Sequence, residues 1–303
     1  MLPPSRLRLL VASLPELIAV VAAAVLGLSV QPPLAWLAAH QAINVVLAIL
    51  VFATAVTIDP AALRRLNRTW PSLLAVLAAG MTVLPALAWA AAQFVAAGPL
   101  RDGIMTLGLA PCEIASVATT AMAGGDAALS AGALISSTVI TVAVAGPVLA
   151  LEAGRAAGRP GPISTGLILI VGLPLAAGTL VRARARIPAA AERAAAATAA
   201  TAVAALVGLI AAEVHVSARY LPVVLALLFF LAGSALTGWL LGARRGQPVA
   251  AAVLLTTSMR DFAVAAGLAA AAFGPAAAAP LGLYGILVLV WGTAAASVLR
   301  RRR

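Results

Sequence analysis

The sequence predicts an all-α membrane protein: ten transmembrane helices forming two inverted repeats of five, with the fourth and ninth helices broken and crossing. Three observations carry that prediction. Of 303 residues, 63% are hydrophobic and 10% charged, and the mean hydropathy is +1.09. A soluble domain of this length cannot bury so much apolar surface. All 20 basic residues are arginine, and nearly all fall in short gaps between apolar runs. Finally, two polar interruptions, Pro111-Cys112-Glu113-Ile114-Ala115-Ser116 and Thr256-Thr257-Ser258-Met259-Arg260-Asp261, lie almost half a chain apart within apolar segments.

At about 20 apolar residues per span, the helices fall near 10–31, 36–58, 71–97, 102–123, 126–149, 162–181, 194–214, 219–242, 248–272 and 276–299. Residues 1–31 combine Arg6 and Arg8 with an apolar stretch, and Val21-Ala22-Ala23-Ala24 has the small residues of a signal-peptide cleavage site. An uncleaved first span is expected, because its removal leaves an odd helix count. With the N-terminus inside, cytoplasmic segments hold 15 arginines: Arg6, Arg8, Arg64, Arg65, Arg68, Arg182, Arg184, Arg186, Arg193, Arg244, Arg245 and Arg300 to Arg303. The outer loops hold four, Arg101, Arg155, Arg159 and Arg219, and Arg260 alone lies within a span. This bias predicts a multi-pass protein of the inner (plasma) membrane with both termini cytoplasmic. Topogenic charge and anionic lipid also explain the net charge of +11 better than a nucleic-acid partner does.

The turn-rich stretch Gly154–Pro162 divides the chain into a first repeat, 1–153, and a second, 162–303. Five spans is an odd number, so the second set inserts upside down relative to the first. The fourth span ends at Gly124-Gly125-Asp126 and the ninth at Phe273-Gly274-Pro275, and in each case the next helix begins at once. Break, short hinge and following helix thus recur in the same order.

Pro111 lacks an amide hydrogen and clashes with the preceding turn, so it opens the fourth span. Opening frees carbonyls and exposes half-helix ends whose partial charges can hold ions. Glu113, Ser116, Thr119 and Thr120 lie beside that opening, and Ser130 lies in the helix that follows. In the ninth span no proline forces a break, but Thr256, Thr257, Ser258, Arg260 and Asp261 fall within six residues. Two segments crossing near the bilayer centre place Glu113 and Asp261 near Arg260. Ionisable groups at that depth are functional by default. Arg260 is then a fixed positive charge for an anionic substrate or a replacement for a coupling cation, and Glu113 or Asp261 a candidate proton carrier. A structural ion pair that only locks two helices together is the alternative. Together these features point to a secondary transporter, with a small organic anion as substrate, no cofactor, and sodium or a proton as the coupling ion. The oligomeric state stays open, a monomer included.

Several of these residues resemble the bile acid:sodium symporter family. Ala110-Pro111, Ala115-Ser116, the run Ala123 to Ser130, Ser136-Ser137-Thr138 and Pro147 are similar to that family's fourth and fifth helices. Ile43-Asn44 to Thr57 with Arg64-Arg65, and Met259, Gly267-Leu268 and Phe273-Gly274-Pro275, extend the resemblance over most of the chain. It implies a core domain (spans 3–5 and 8–10) and a panel domain (spans 1, 2, 6 and 7) that open a cavity alternately to each side. It also implies where sodium ligands belong. Of those positions Ser116 and Ser130 keep an oxygen, as does Thr256 where such members carry Glu. Val117, Gly80, Leu134, Arg260 and Asp261 replace Asn, Gln, Thr, Gln and Asn. A cation cage stripped in this way predicts transport without the usual two-sodium coupling.

Other classes are poorly served. Ala123-Gly124-Gly125-Asp126 misses the Gly-x-Gly-Asp of an intramembrane aspartyl protease by one glycine, and neither His40 nor His215 approaches a serine cluster or a second metal ligand. The histidines read as interfacial, and Trp36, Trp70, Trp239 and Trp291 as interfacial anchors. An arsenite-type or other efflux permease with the same broken-helix plan, with Cys112 near its break, is the runner-up. A channel or sensor is the third reading.

Overall fold

The computed structural model describes residues 18, 19, 21–57, 65–157, 165, 166, 168–185, 187–212 and 220–301. Within these residues the secondary structure is helical, apart from one isolated antiparallel bridge between Cys112 and Arg260. In chain order the α-helices are α1 (Val21–Ser29), α2 (Gln31–Ala39), α3 (Ala42–Thr57), α4 (Trp70–Met81), α5 (Val83–Ala92), α6 (Pro99–Thr106) and α7 (Ala115–Met122). They continue with α8 (Ala127–Ala157), α9 (Leu173–Arg184), α10 (Ala189–Ala211), α11 (Tyr220–Gly242), α12 (Gln247–Ser258), α13 (Phe262–Phe273) and α14 (Ala279–Arg301). Among the described residues the fold is thus all-helical.

Five stretches are long and apolar enough to cross a bilayer: Trp70–Ala92, Ala127–Ala145, Ala189–Ala211, Tyr220–Gly242 and Pro275–Arg301. Fewer uninterrupted helices therefore occur among the described residues than the ten predicted spans. The predicted fourth span becomes α6 and α7 with non-helical chain between them, and the ninth becomes α12 and α13. The predicted second span, 36–58, starts only at Ala42. Pro32 and Pro33 begin the separate helix α2, which turns 99° from α1, and Gln41 at φ +69° ends the connection. Pro188, held extended (φ −62°, ψ 149°), starts α10 at Ala189, five residues earlier than expected. Residues 158–162 of the dividing stretch, His215 and several loop arginines lie outside the described residues.

Small residues set the helix contacts. α3 packs on both α9 and α10, and α11 packs on α12. At Gly178 a Cβ would sit 2.6 Å from the Ala55 Cβ and 2.7 Å from the Phe52 carbonyl oxygen, so α9 lies on α3 only because that position is glycine. Ile43, Leu47 and Leu50 of α3, Phe230 of α11, and nearly all of α13 from Phe262 to Ala269 are buried. Large apolar side chains such as Trp36, Trp70, Trp89, Leu221 and Trp239 are exposed, as a lipid-facing surface requires. His40 stacks on Trp36 and bonds to its carbonyl oxygen.

Candidate functional site

The two breaks meet. Between α6 and α7 the chain runs extended through Pro111, Cys112 and Glu113; between α12 and α13 it does so through Met259, Arg260 and Asp261. Glu113 N donates to the Met259 carbonyl at 2.9 Å, and Asp261 N donates to the Pro111 carbonyl at 2.9 Å. These reciprocal bonds flank Cys112 and Arg260, which are 148 residues apart.

Other backbone groups of the crossing are satisfied by specific side chains, as burial away from water demands. Thr141 Oγ1 donates to the Leu109 carbonyl at 2.9 Å, and the Ser137 hydroxyl accepts from Cys112 N at 3.0 Å. On the other strand Tyr284 Oη accepts from Arg260 N at 3.4 Å and donates to the Ser258 carbonyl at 3.3 Å. Trp291 Nε1 donates to Ser258 Oγ at 2.9 Å, so Trp291 also supports the crossing.

The two carboxylates converge on one helix end. Asp261 Oδ1 accepts from Ala263 N at 3.0 Å and Val264 N at 2.9 Å, and Glu113 Oε2 accepts from Phe262 N at 3.3 Å. The first three amides of α13 are thus taken by two acids from opposite halves of the chain. Negative charge there is favoured by the helix dipole as well as by the bonds. The cap also explains how the ninth span breaks without proline.

Arg260 points elsewhere. Its side chain is 1% exposed, its Nη2 donates to the Ala110 carbonyl, and its Nη1 lies 3.9 Å from Cys112 Sγ. Its Nε has no hydrogen-bond partner. The guanidinium lies against Gly80 of α4, where a Cβ would sit 3.5 Å from Nη1 and 3.7 Å from Nη2. Among the described residues the ion pair is Arg182–Glu192 at 3.4 Å; Arg260 forms none. The crossing brings Glu113, Arg260 and Asp261 together through the backbone, yet the cation and the anions do not close into a salt bridge.

The hydroxyl residues divide into groups. Ser116 Oγ and Ser130 Oγ are 3.4 Å apart, with Thr120 Oγ1 also 3.4 Å from Ser130 Oγ, and all three residues are fully buried. Thr119 and Thr256 turn back on their own helices, to the Ala115 carbonyl at 2.7 Å and the Ala252 carbonyl at 2.6 Å. Ser258 does likewise, to the Leu254 carbonyl at 2.8 Å, and Thr257 Oγ1 is buried without a partner. Among the described residues no three His, Cys, Asp or Glu side chains cluster as metal ligands.

Asp261 and Ile114 border a narrow cavity of about 20 Å³ against Thr54 of α3, Leu175 of α9 and Thr138 of α8. That is room for roughly one water. Sequence reasoning gave no site role to Tyr284, Trp291, Ser137, Thr54 and Thr138; Tyr284, Trp291 and Thr54 are single polar groups in apolar stretches, and Ser137 and Thr138 belong to the run Ser136-Ser137-Thr138, which is the signal that marks them.

The model of the Sodium Bile acid symporter family matches residues 44–224, more than half of the chain, a stretch that includes the first break but ends before the second. No curated protein matches the chain. With two broken helices meeting in an apolar, all-helical chain and a family match of this extent, the protein belongs to the Sodium Bile acid symporter family and is a multi-pass membrane protein of that transporter family.

Proposed function

We propose that the protein is a secondary transporter that moves a small organic anion by alternating access, without the usual two-sodium coupling. The ten spans form two inverted repeats, both termini face the cytoplasm of a cell bounded by this inner (plasma) membrane, and the panel helices rock against the core across the narrow cavity at Asp261. The packing of α3 with α9 and α10 supports that division.

One observation carries the coupling argument. The Arg260 guanidinium is buried against Gly80, without an ion pair, where two half-helices meet. A permanent cation held there does what a bound cation would do: it offsets the two carboxylates at α13 and leaves the site receptive to an anion. Sodium fits the remaining donors badly. Thr256 donates its hydroxyl to its own helix, the Leu134 side chain offers no oxygen, and Ser116, Ser130 and Thr120 supply three hydroxyls with no carboxylate among them. Glu113 or Asp261 serves as the proton carrier, and uniport or exchange follows if neither moves a proton.

The test is uptake of an organic-anion panel into proteoliposomes, with sodium and pH gradients imposed separately. Uptake driven by the pH gradient or by counter-anion, and indifferent to sodium, is the expected result. Strong sodium dependence would sink the built-in-cation reading while leaving the transporter reading intact.

A further inference from the structure

The helix that follows each hinge turns polar side chains onto the break before it. From α8, Ser137 takes the Cys112 amide and Thr141 the Leu109 carbonyl. From α14 the grip on the second break is closer. Tyr284 and Trp291 are seven residues apart, two turns of helix, and therefore share a face. Gly285 and Gly292 lie beside them. A Cβ at Gly285 would sit 2.8 Å from Phe262 Cδ2, and one at Gly292 would sit 2.6 Å from Met259 Cε. These two glycines let the chain from Met259 to Phe262 lie directly against α14.

Helix α12 ends at Ser258, so the Ser258 carbonyl and the Arg260 amide must find partners outside a helix. One hydroxyl serves both: Tyr284 Oη accepts from Arg260 N at 3.4 Å and donates to the Ser258 carbonyl at 3.3 Å. Tyr284 is fully buried, its ring meeting Phe230 edge-on at 5.9 Å between centroids. Trp291 Nε1 holds the same segment through Ser258 Oγ. The Arg260 side chain is held less firmly than its backbone. Its Nε has no hydrogen-bond partner, it forms no ion pair among the described residues, and its Nη1 lies 3.9 Å from Cys112 Sγ. Where the guanidinium stands thus depends on where its backbone is fixed.

We propose that Tyr284 and Trp291 are positioning residues for Arg260, holding Ser258 to Arg260 against α14 and so setting the place of the cation at the crossing. The inference rests on the reading of Arg260 as the cation that serves the transported anion. Loss of the Tyr284 hydroxyl leaves a buried carbonyl and a buried amide without partners, a cost the chain relieves by shifting the segment. The shift reaches Cys112, because the Glu113–Met259 and Asp261–Pro111 backbone bonds tie the two breaks together.

Cys112 is the chain's single cysteine and is buried, so its alkylation reports on the crossing. The test is the rate of N-ethylmaleimide labelling of the full chain in detergent, read by mass spectrometry well below each variant's unfolding temperature. Tyr284→Phe should be labelled at least about fivefold faster than the parent, the lower end of what an orphaned buried polar group costs. Trp291→Phe should be labelled about threefold faster, since Ser258 Oγ keeps its bond to the Leu254 carbonyl. Phe230→Leu removes the ring contact but keeps the hydroxyl; it should unfold earlier yet be labelled at the parent's rate. Labelling of Y284F at the parent's rate overturns the proposal, and so does labelling of F230L as fast as Y284F, which would make the effect one of general stability. If Y284F does not fold, W291F decides, and labelling at the parent's rate overturns the proposal there too. Labelling requires no transport, so its outcome stands apart from that of the uptake test.

Discussion

The two breaks do the same job by different chemistry. In the first, Pro111 withholds an amide hydrogen, and α7 begins without a side-chain cap on Ile114. In the second no residue forbids a helix; Asp261 instead stops one and starts another by capping Ala263 N and Val264 N. A proline break is covalent and independent of charge. An acid cap depends on its carboxylate, and at this crossing it shares the helix end with Glu113 from the other half of the chain. The second break is therefore the one whose geometry can respond to charge, and it also carries Arg260.

The largest effect that sharpens this comparison is expected at Arg260. Arg260→Gln should reduce transport at least roughly tenfold, about 1.4 kcal/mol of lost stabilisation. It should change thermal stability little, because relief from desolvating a charge that has no ion-pair partner opposes the loss of its offset to the two carboxylates. Proteoliposome uptake and thermal unfolding in detergent separate the two. A variant that unfolds earlier but transports normally makes Arg260 a structural residue.

Next in size is the cap. Asp261→Ala should cost about 1–2 kcal/mol of stability through loss of two hydrogen bonds at α13. Asp261→Ser should recover much of the stability without the charge, so transport that stays low in D261S assigns the charge to the cycle. Pro111→Ala should cost less, about 0.4–1 kcal/mol, since the Pro111 carbonyl that accepts from Asp261 N is retained. Equal losses in D261A and P111A, measured by unfolding, break the comparison.

The smallest effect is expected at Gly80. Gly80→Ala places a Cβ 3.5 Å from Arg260 Nη1, an ordinary contact, and should be neutral or stabilising by up to about 1 kcal/mol. Gly80→Gln should displace the guanidinium and reduce uptake, while expression is unchanged.

Much of the site was legible beforehand. Burial of ionisable groups in apolar runs singled out Glu113, Arg260 and Asp261, and the spacing of the breaks predicted that they meet. The expected nearness of Arg260 to the acids holds through the backbone but not as a salt bridge. Nothing in the local sequence says that the first amides of α13 attract both carboxylates more directly than the guanidinium does. Thr119, Thr256 and Ser258 looked like ligands because they are hydroxyls, yet each donates to its own helix. Rotamer choice of that kind is invisible in a one-dimensional pattern. The separate helix α2 and the late start of α3 were missed because Leu34 to Ala39 is as apolar as the span that follows it.

By itself the sequence determined that this chain lives in a membrane, that two of its helices break, and which family it joins. Those properties depend on composition and on local chemistry: apolar length, a missing amide hydrogen, an acid at a helix start. Only the tertiary structure decided which partner each buried charge takes. Gly80 and Arg260, like Glu113 and Phe262, come from segments far apart in sequence, and the balance among hydrogen bonds, dipole and desolvation exists only once those segments touch.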